Sequence, residues 1–305
     1  AAGVAAAGQA RKLAEEYKIP NITTRYQDVL RDPSVSCISV CTDHAAHVPV
    51  TVAALRSGKH VLCEKALAAD PRGLERMFAE SRRHPKLVFA GVFQRRFDPV
   101  LLYVKRLMDQ KVFGKVLTAG TQVRCLRTNE YYRKDAWRGT WDKEGGAVLI
   151  NQAIHYIDIL LWLTGGVKTV CGVYDTLTHR GIIETEDTAA AAVCFRSGAI
   201  GTIEVTSSSY LKWEATFSVH GTEGSLDLRN EKPFKVSFID PARQREVEAG
   251  LATALSAPGE ILGKDYYGRG HPAQIADFVR SIRTGRKPFI PARSARHTVD
   301  VVFAL

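Results

Sequence analysis

Apolar residues run along this chain in two rhythms. Up to about residue 97, short continuous apolar runs alternate with segments of helical period. Residues 35–41, 60–63 and 87–93 are of strand length and apolar on both faces. Between them, residues 4–18, 45–56 and 70–83 carry helical spacing, and 28–30 make a helical turn. Pro20, Asp32-Pro33 and Gly58 end three of these segments, and Asp70-Pro71 offers an N-cap followed by proline at the first helical position. Strands of this kind separated by helices predict a parallel sheet with helices on both faces.

Beyond residue 97 the rhythm changes. Asp98-Pro99 caps one long helix to about Gln110, residues 116–126 alternate as a strand, and 149–163 form an amphipathic helix ended by Gly165-Gly166. Strand-like segments follow at 169–174, 188–195, 200–207, 215–220, 225–228 and 234–238, separated by turns such as Gly221-Thr222-Glu223-Gly224. Successive strands with short connections predict an antiparallel sheet. Helices near 272–283 and from 292 onward close the chain. The expected class is α/β, with a parallel-sheet domain over residues 1–97 and an α+β domain over 98–305.

A dinucleotide-binding version of the first half needs a glycine-rich turn after its first strand, where the backbone approaches the pyrophosphate at a helix N-terminus. Gly3 and Gly8 do not form that turn. The expectation is a doubly wound domain short of its first β-α-β unit, about 30 residues or more. The chain also stops at Phe303-Ala304-Leu305 within a helical pattern, which reads as a fragment.

Charge adds a constraint. Forty-two Lys and Arg against 32 Asp and Glu give a formal +10, which suits an anionic substrate, a dinucleotide or nucleic acid. The basic residues are scattered, as in Arg82-Arg83, Arg95-Arg96 and Lys105-Arg106. Without a basic block or a basic stripe interleaved with aromatics, no nucleic-acid partner is expected. The chain has no run of 18 apolar residues, so no membrane partner is expected. Six cysteines, four within apolar runs, and no secretory signal read as reduced, buried thiols of a cytoplasmic protein.

Three segments carry candidate chemistry. In Gly58-Lys59-His60-Val61-Leu62-Cys63-Glu64-Lys65, a carboxylate and an amine follow a parallel strand, where open sheets bind ligands. A lysine there can hydrogen-bond a substrate oxygen, although a surface ion pair explains the same residues. In the 145–158 segment, Asn151 and His155 are four apart and share a helix face, with Asp158 close by. Polar groups on an apolar helix need partners, and a satisfied core histidine is the plainer alternative to a catalyst. Phe93-Gln94-Arg95-Arg96 follows the third strand, where the arginines could hold an anionic group, line a cofactor pocket, or be solvated charge. A metal site is not expected: His60 and Cys63 lie on opposite strand faces, and His44-Ala45-Ala46-His47 reads as a strand-to-helix turn.

At these residues the chain resembles the glucose–fructose oxidoreductase, inositol dehydrogenase and MocA (Gfo/Idh/MocA) family. The resemblance runs through residues 10–20, Val40 to His47, Gly58 to Leu67, Phe93 to Pro99, Trp137-Arg138-Gly139-Thr140-Trp141, the 145–158 segment and Glu186-Asp187-Thr188-Ala189. It implies a Rossmann domain followed by a domain with an open, mostly antiparallel sheet, and NAD or NADP used on sugars and cyclic polyols. By resemblance, Thr42, His44, His47, Glu64, Gln94, Trp137 and Arg138 bind cofactor. Lys65 and His155 are catalytic, Lys65 also touching the cofactor, and Asn151, Arg95, Tyr267 and His271 contact substrate. A homo-oligomer, dimer or tetramer, built on the second sheet is also implied; residues 189–193 and 202–206 offer a face for it.

Two positions depart from the family pattern. Ala66 stands where the family has proline after the lysine, which removes a backbone constraint beside Lys65. Asn151 stands where many members have Asp, keeping hydrogen bonding but not charge, so the acid–base role falls to His155. The expected reaction moves a hydride between a ring carbon and nicotinamide while His155 takes the hydroxyl proton. The alternatives are a redox-assisted glycosidase or lyase on the same scaffold, and a non-catalytic dinucleotide-sensing protein.

Overall fold

A computed structural model describes residues 11–257 and 268–305. Helix α1 (Tyr26–Arg31) precedes strand β1 (Cys37–Val40), helix α2 (His44–Arg56) leads to β2 (His60–Cys63), and α3 (Pro71–Arg83) leads to β3 (Phe89–Gly91). The three strands pair in that order, all parallel. Asp43 and Asp70 start their helices by accepting from the Ala46 and Gly73 amides at 3.0 and 2.8 Å, each satisfying a donor that a helix start leaves open.

A 3₁₀ turn (Gln94–Phe97) follows β3 and runs into α4 (Pro99–Asp109), capped by Asp98. The chain then enters a second sheet with β4 (Val116–Leu126), leaves it through α5 (Asn129–Arg133), a π-helical turn (Val148–Ala153) and α6 (Ile154–Thr164), and returns through β5 (Val167–Asp175), β6 (Thr188–Phe195), β7 (Ile200–Thr206), β8 (Ser208–Gly221), β9 (Gly224–Arg229) and β10 (Lys232–Phe238). The strand order is β10-β9-β8-β4-β7-β6-β5. Every pairing is antiparallel except β4 with β7, which is parallel. The exception has a simple origin: β4 is cut off from later strands by the helical segment, so it inserts between β7 and β8 rather than extending a hairpin.

Helix α7 (Pro241–Leu255) was not expected. Its Asp240-Pro241 start repeats the signal seen twice earlier, but it buries only Val247 and Leu251, so its apolar period is faint. Helices α8 (Gly270–Thr284) and α9 (Ala292–Ala304) return to the first sheet. Gln274 Nε2 donates to the Gly91 carbonyl at 2.7 Å, and Pro291 bridges Ala90. Gly270 permits this docking, because a Cβ there would lie 1.8 Å from the Gln94 carbonyl oxygen. The boundary near residue 97 thus marks a change of pattern along the chain, while 270–304 pack back across it. The cysteines are unpaired, but only Cys63 and Cys125 are buried; Cys41, Cys171 and Cys194 are exposed. Cys171 and Cys194 sit on strands with a solvent-facing side, which an apolar run cannot reveal. No helix among the described residues is long and apolar enough to cross a membrane.

One core cluster joins the halves, running from Val61 and Leu67 through Ile154, Ile157 and Leu160 to Val123, Val205 and Val219. Inside it lies a buried ion pair. Arg96 donates from Nε and Nη2 to the two oxygens of Asp158 at 2.7 and 2.5 Å, and from Nη1 to Ser294 Oγ at 2.6 Å. Thr298 Oγ1 donates to Asp158 at 2.7 Å. These contacts lock the end of β3, helix α6 and helix α9 together. Asp158 therefore serves the core, not the face shared by Asn151 and His155, and Arg96 is not available to an anionic ligand. Replacing Asp158 by Ala should cost about 3–5 kcal/mol, because it strands a buried guanidinium; urea unfolding that shows a loss under about 1 kcal/mol would contradict this role.

Candidate active site

A cavity of about 560 Å³ lies beyond the carboxyl ends of β1, β2 and β3. Thr42 follows β1, Glu64 and Lys65 follow β2, and Gln94 follows β3; all four line it. The facing wall comes from the other sheet and its connections: Arg127 just past β4, Trp213 on β8, Tyr131, Trp137 and Arg138 after β4, and Asn151, Gln152 and His155. His271, at the start of α8, completes the lining with Arg95.

Lys65 ties the walls together. Its Nζ donates to the Asn151 backbone oxygen at 2.9 Å and to Asn151 Oδ1 at 2.8 Å. Burial lowers the Lys65 pKa, opposed by Glu64 and Glu144 and assisted by Arg138 and Arg127. The Lys65–Ala66 peptide bond is cis. With no proline at position 66, the loop is held by its neighbours: Ala66 is fully buried, and its carbonyl lies 2.7 Å from His47 Nδ1.

That contact corrects one expectation. His47 is fully buried, with Nε2 3.1 Å from the Thr42 carbonyl, so both ring nitrogens face backbone oxygens and none reaches the cavity. It braces the loops after β1 and β2. His44 does line the cavity, and its Nδ1–H donates to the Glu144 carbonyl at 2.7 Å. Burial, then the Lys65 charge, pushes its pKa down to about 3, so it stays neutral. Arg95, by contrast, pairs with Glu231 and stacks 4.7 Å over Tyr156 while lining the cavity.

Asn151 lies on the π turn, not on a continuous α-helix as the sequence pattern predicts. Gly145 and Gly146 take φ of +78° and +141°, and Glu186 accepts the Ala147 and Leu149 amides at 2.9 Å each. The wider turn still brings Asn151 and His155 to one cavity, and π turns are frequent at functional sites. His155 Nδ1 is enclosed without a partner among the described residues, which leaves Nε2 as the ring atom able to reach a ligand. Burial, followed by Lys65, Arg95 and His271, pushes its pKa well below the usual histidine value. Trp137 and Arg138 stack at 4.6 Å, and Arg138 pairs with Asp135 at 2.9 Å. Tyr267 lies outside the described residues.

Sequence reasoning missed Glu144. Its carboxylate is almost fully buried and accepts from the Gly139 amide and from Asn151 Nδ2. It therefore stands directly behind the Lys65–Asn151 pair, with the charge that Asn151 lacks. The one available signal was an acid immediately before Gly145-Gly146. Arg127, Tyr131 and Trp213 were also missed, because the register that sets Cys125 opposite Trp213 is not legible in one sequence. Burial raises the Glu144 pKa to about 7, against the Gly139 amide, Asn151, Arg138 and Lys65. A raised carboxyl pKa means that the folded state holds more protons than the unfolded one between about pH 4.5 and 7, so stability falls as pH rises through that window. Wild-type unfolding free energy measured against Glu144→Gln should decline from pH 5 to pH 8 by up to about 3 kcal/mol; a pH-independent difference would contradict it.

The sequence on which this site is built matches known family models. Residues 2–92 fit the model described as the oxidoreductase family with an NAD-binding Rossmann fold, and 101–227 fit the GFO/IDH/MocA C-terminal domain. The chain belongs to the Gfo/Idh/MocA family of oxidoreductases. It is 23% identical to levoglucosan dehydrogenase of Pseudarthrobacter phenanthrenivorans, over 90% of this chain and 78% of that protein. It is 27% identical to scyllo-inositol 2-dehydrogenase (NAD(+)) of Bacillus subtilis, over 97% and 82%. The crystal structure of the WlbA dehydrogenase from Bordetella pertussis in complex with NADH and UDP-GlcNAcA superimposes with a TM-score of 0.85 at 26% identity, covering 97% of this chain and 84% of that one.

Proposed function

We propose that this chain is an NAD(P)-dependent dehydrogenase acting on a hydroxyl of a sugar or cyclic polyol. One observation carries the reading: the Lys65 ammonium, Asn151 and the neutral His155 converge on a cavity at the carboxyl ends of a parallel sheet. The sugar and polyol dehydrogenases among its relatives support it.

The residues present fit a nicotinamide cofactor. Thr42, Glu64 and Gln94 occupy the strand ends where dinucleotides lie, and the enclosed His155 Nδ1 directs the other ring nitrogen into the space. Thr42, His44, Glu64, Gln94, Trp137 and Arg138 would hold it. When bound, nicotinamide supplies the hydride acceptor. His155, kept neutral by burial and the positive charges around it, takes the hydroxyl proton on Nε2. Lys65, aimed by the two Asn151 oxygens, hydrogen-bonds the substrate oxygen and stabilises its developing negative charge. His271 and Arg95 border the substrate end.

The same reading places the enzyme in a reducing compartment, the cytoplasm, in keeping with unpaired cysteines. It also joins copies through the outer face of the second sheet, where Val173 and Ile200 are exposed. His155→Asn should lower kcat/KM by about 100-fold or more, the usual contribution of a positioned base, while NADH binding followed by nicotinamide fluorescence persists. Undiminished turnover would remove His155 from the reaction.

A further inference from the structure

Four cations border the cavity: Lys65, Arg95, Arg127 and Arg138, against the single lining carboxylate Glu64. Three of the four are compensated. Arg95 pairs with Glu231, Arg138 with Asp135, and Lys65 is held by Asn151 with Glu64 and Glu144 nearby. Arg127 makes no ion pair among the described residues. Its hydrogen bonds go to the adjacent Leu126 carbonyl, 3.2 Å from Nη1, and to the Tyr131 hydroxyl, while its buried Nε has no partner among the described residues. The guanidinium is instead sandwiched between rings, 4.9 Å from the Tyr131 centroid and 5.8 Å from that of Trp213.

Such a group cannot shed its charge, since arginine does not deprotonate in proteins. Holding a partly buried guanidinium beside Lys65 and Arg138 without a counter-ion is unfavourable unless a ligand supplies one. The two rings hold the side chain in place and its buried Nε is left unpartnered among the described residues, so a guanidinium N–H remains to donate to a carboxylate or phosphoryl oxygen. Location decides which ligand. Arg127 stands just past β4 on the wall that also carries Trp213, Asn151 and His155, across from the strand ends of Thr42, Glu64 and Gln94, and its ligand is taken to be the molecule that meets His155.

We propose that Arg127 is a specificity-determining residue and that the substrate is an anionic sugar, bearing a carboxylate or a phosphoryl group that pairs with it. The proposal rests on the dehydrogenase reading and narrows its substrate class. The acid is recognised only as charge: the oxidised hydroxyl still lies at Lys65 and His155, and no new bond is made at Arg127.

The test uses the whole chain with NADH bound and three ligands of one skeleton, glucose, glucuronate and glucose 6-phosphate, titrated against nicotinamide fluorescence. Wild type should bind one of the two anions about tenfold or more tighter than glucose, in line with a charge-assisted hydrogen bond. Whichever anion is preferred identifies carboxylate or phosphoryl as the group read. Arg127→Met should bring the anion-to-neutral ratio close to one, and Arg127→Lys should restore part of it, which a folding defect would not. Glucose binding as well as both anions, failure of both anions to bind, or an unchanged ratio in Arg127→Met would overturn the proposal. So would loss of NADH affinity in Arg127→Met, which would assign Arg127 to the cofactor. Failure of the wild type to bind NADH would defeat the dehydrogenase reading itself.

Discussion

A lysine ammonium drawn partly out of water needs compensation, and the arrangement around Lys65 follows from that need. Its Nζ sits at the end of β2 and finds two oxygens of Asn151, 86 positions further along the chain. The donor belongs to the parallel sheet and the acceptors to the connection that builds the second sheet. The bond can form only if the two halves meet at one distance and one angle. The buried Arg96–Asp158 pair and the return of α8 and α9 to β3 supply that fixed geometry. Stability elements and site elements are adjacent on the same helix: Asp158 faces the core and His155 the cavity.

Charge is distributed in depth around this amine. Asn151 touches it but is neutral; Glu144 touches Asn151 and carries its charge only as pH rises through its raised pKa. A carboxylate one hydrogen bond away, with its pKa raised to about 7, attracts Lys65 less strongly than a directly bonded Asp would. The cavity is thereby lined by a cation and by a histidine that burial and neighbouring charges hold neutral.

Much of this was legible in the chain. The Asp-Pro starts, the two-sided apolar runs and the change of rhythm near residue 97 give both sheets, because capping and burial are local. The cavity-lining positions Glu64, Lys65 and Gln94 follow from strand ends, Asn151 and His155 from helical spacing, and Thr42 from the family resemblance. What stayed hidden depends on register and on contacts distant in sequence. His47 looks like a cofactor contact by resemblance, yet the Ala66 and Thr42 carbonyls occupy its ring nitrogens. Arg96 looks like an anion site until Asp158, 62 residues on, neutralises it. Glu144 and Arg127 offer no motif; only the π turn and the β4–β8 register give them a place.

Transfer of deuterium from carbon-deuterated sugars, neutral and acidic, to NAD+ tests the central claim most directly. Released NADH carrying the label, in amounts that rise with each turnover, is the result expected of a dehydrogenase working at Lys65 and His155. Label that returns to the sugar while the cofactor stays oxidised, or sugar consumed with no label in the cofactor, would contradict it.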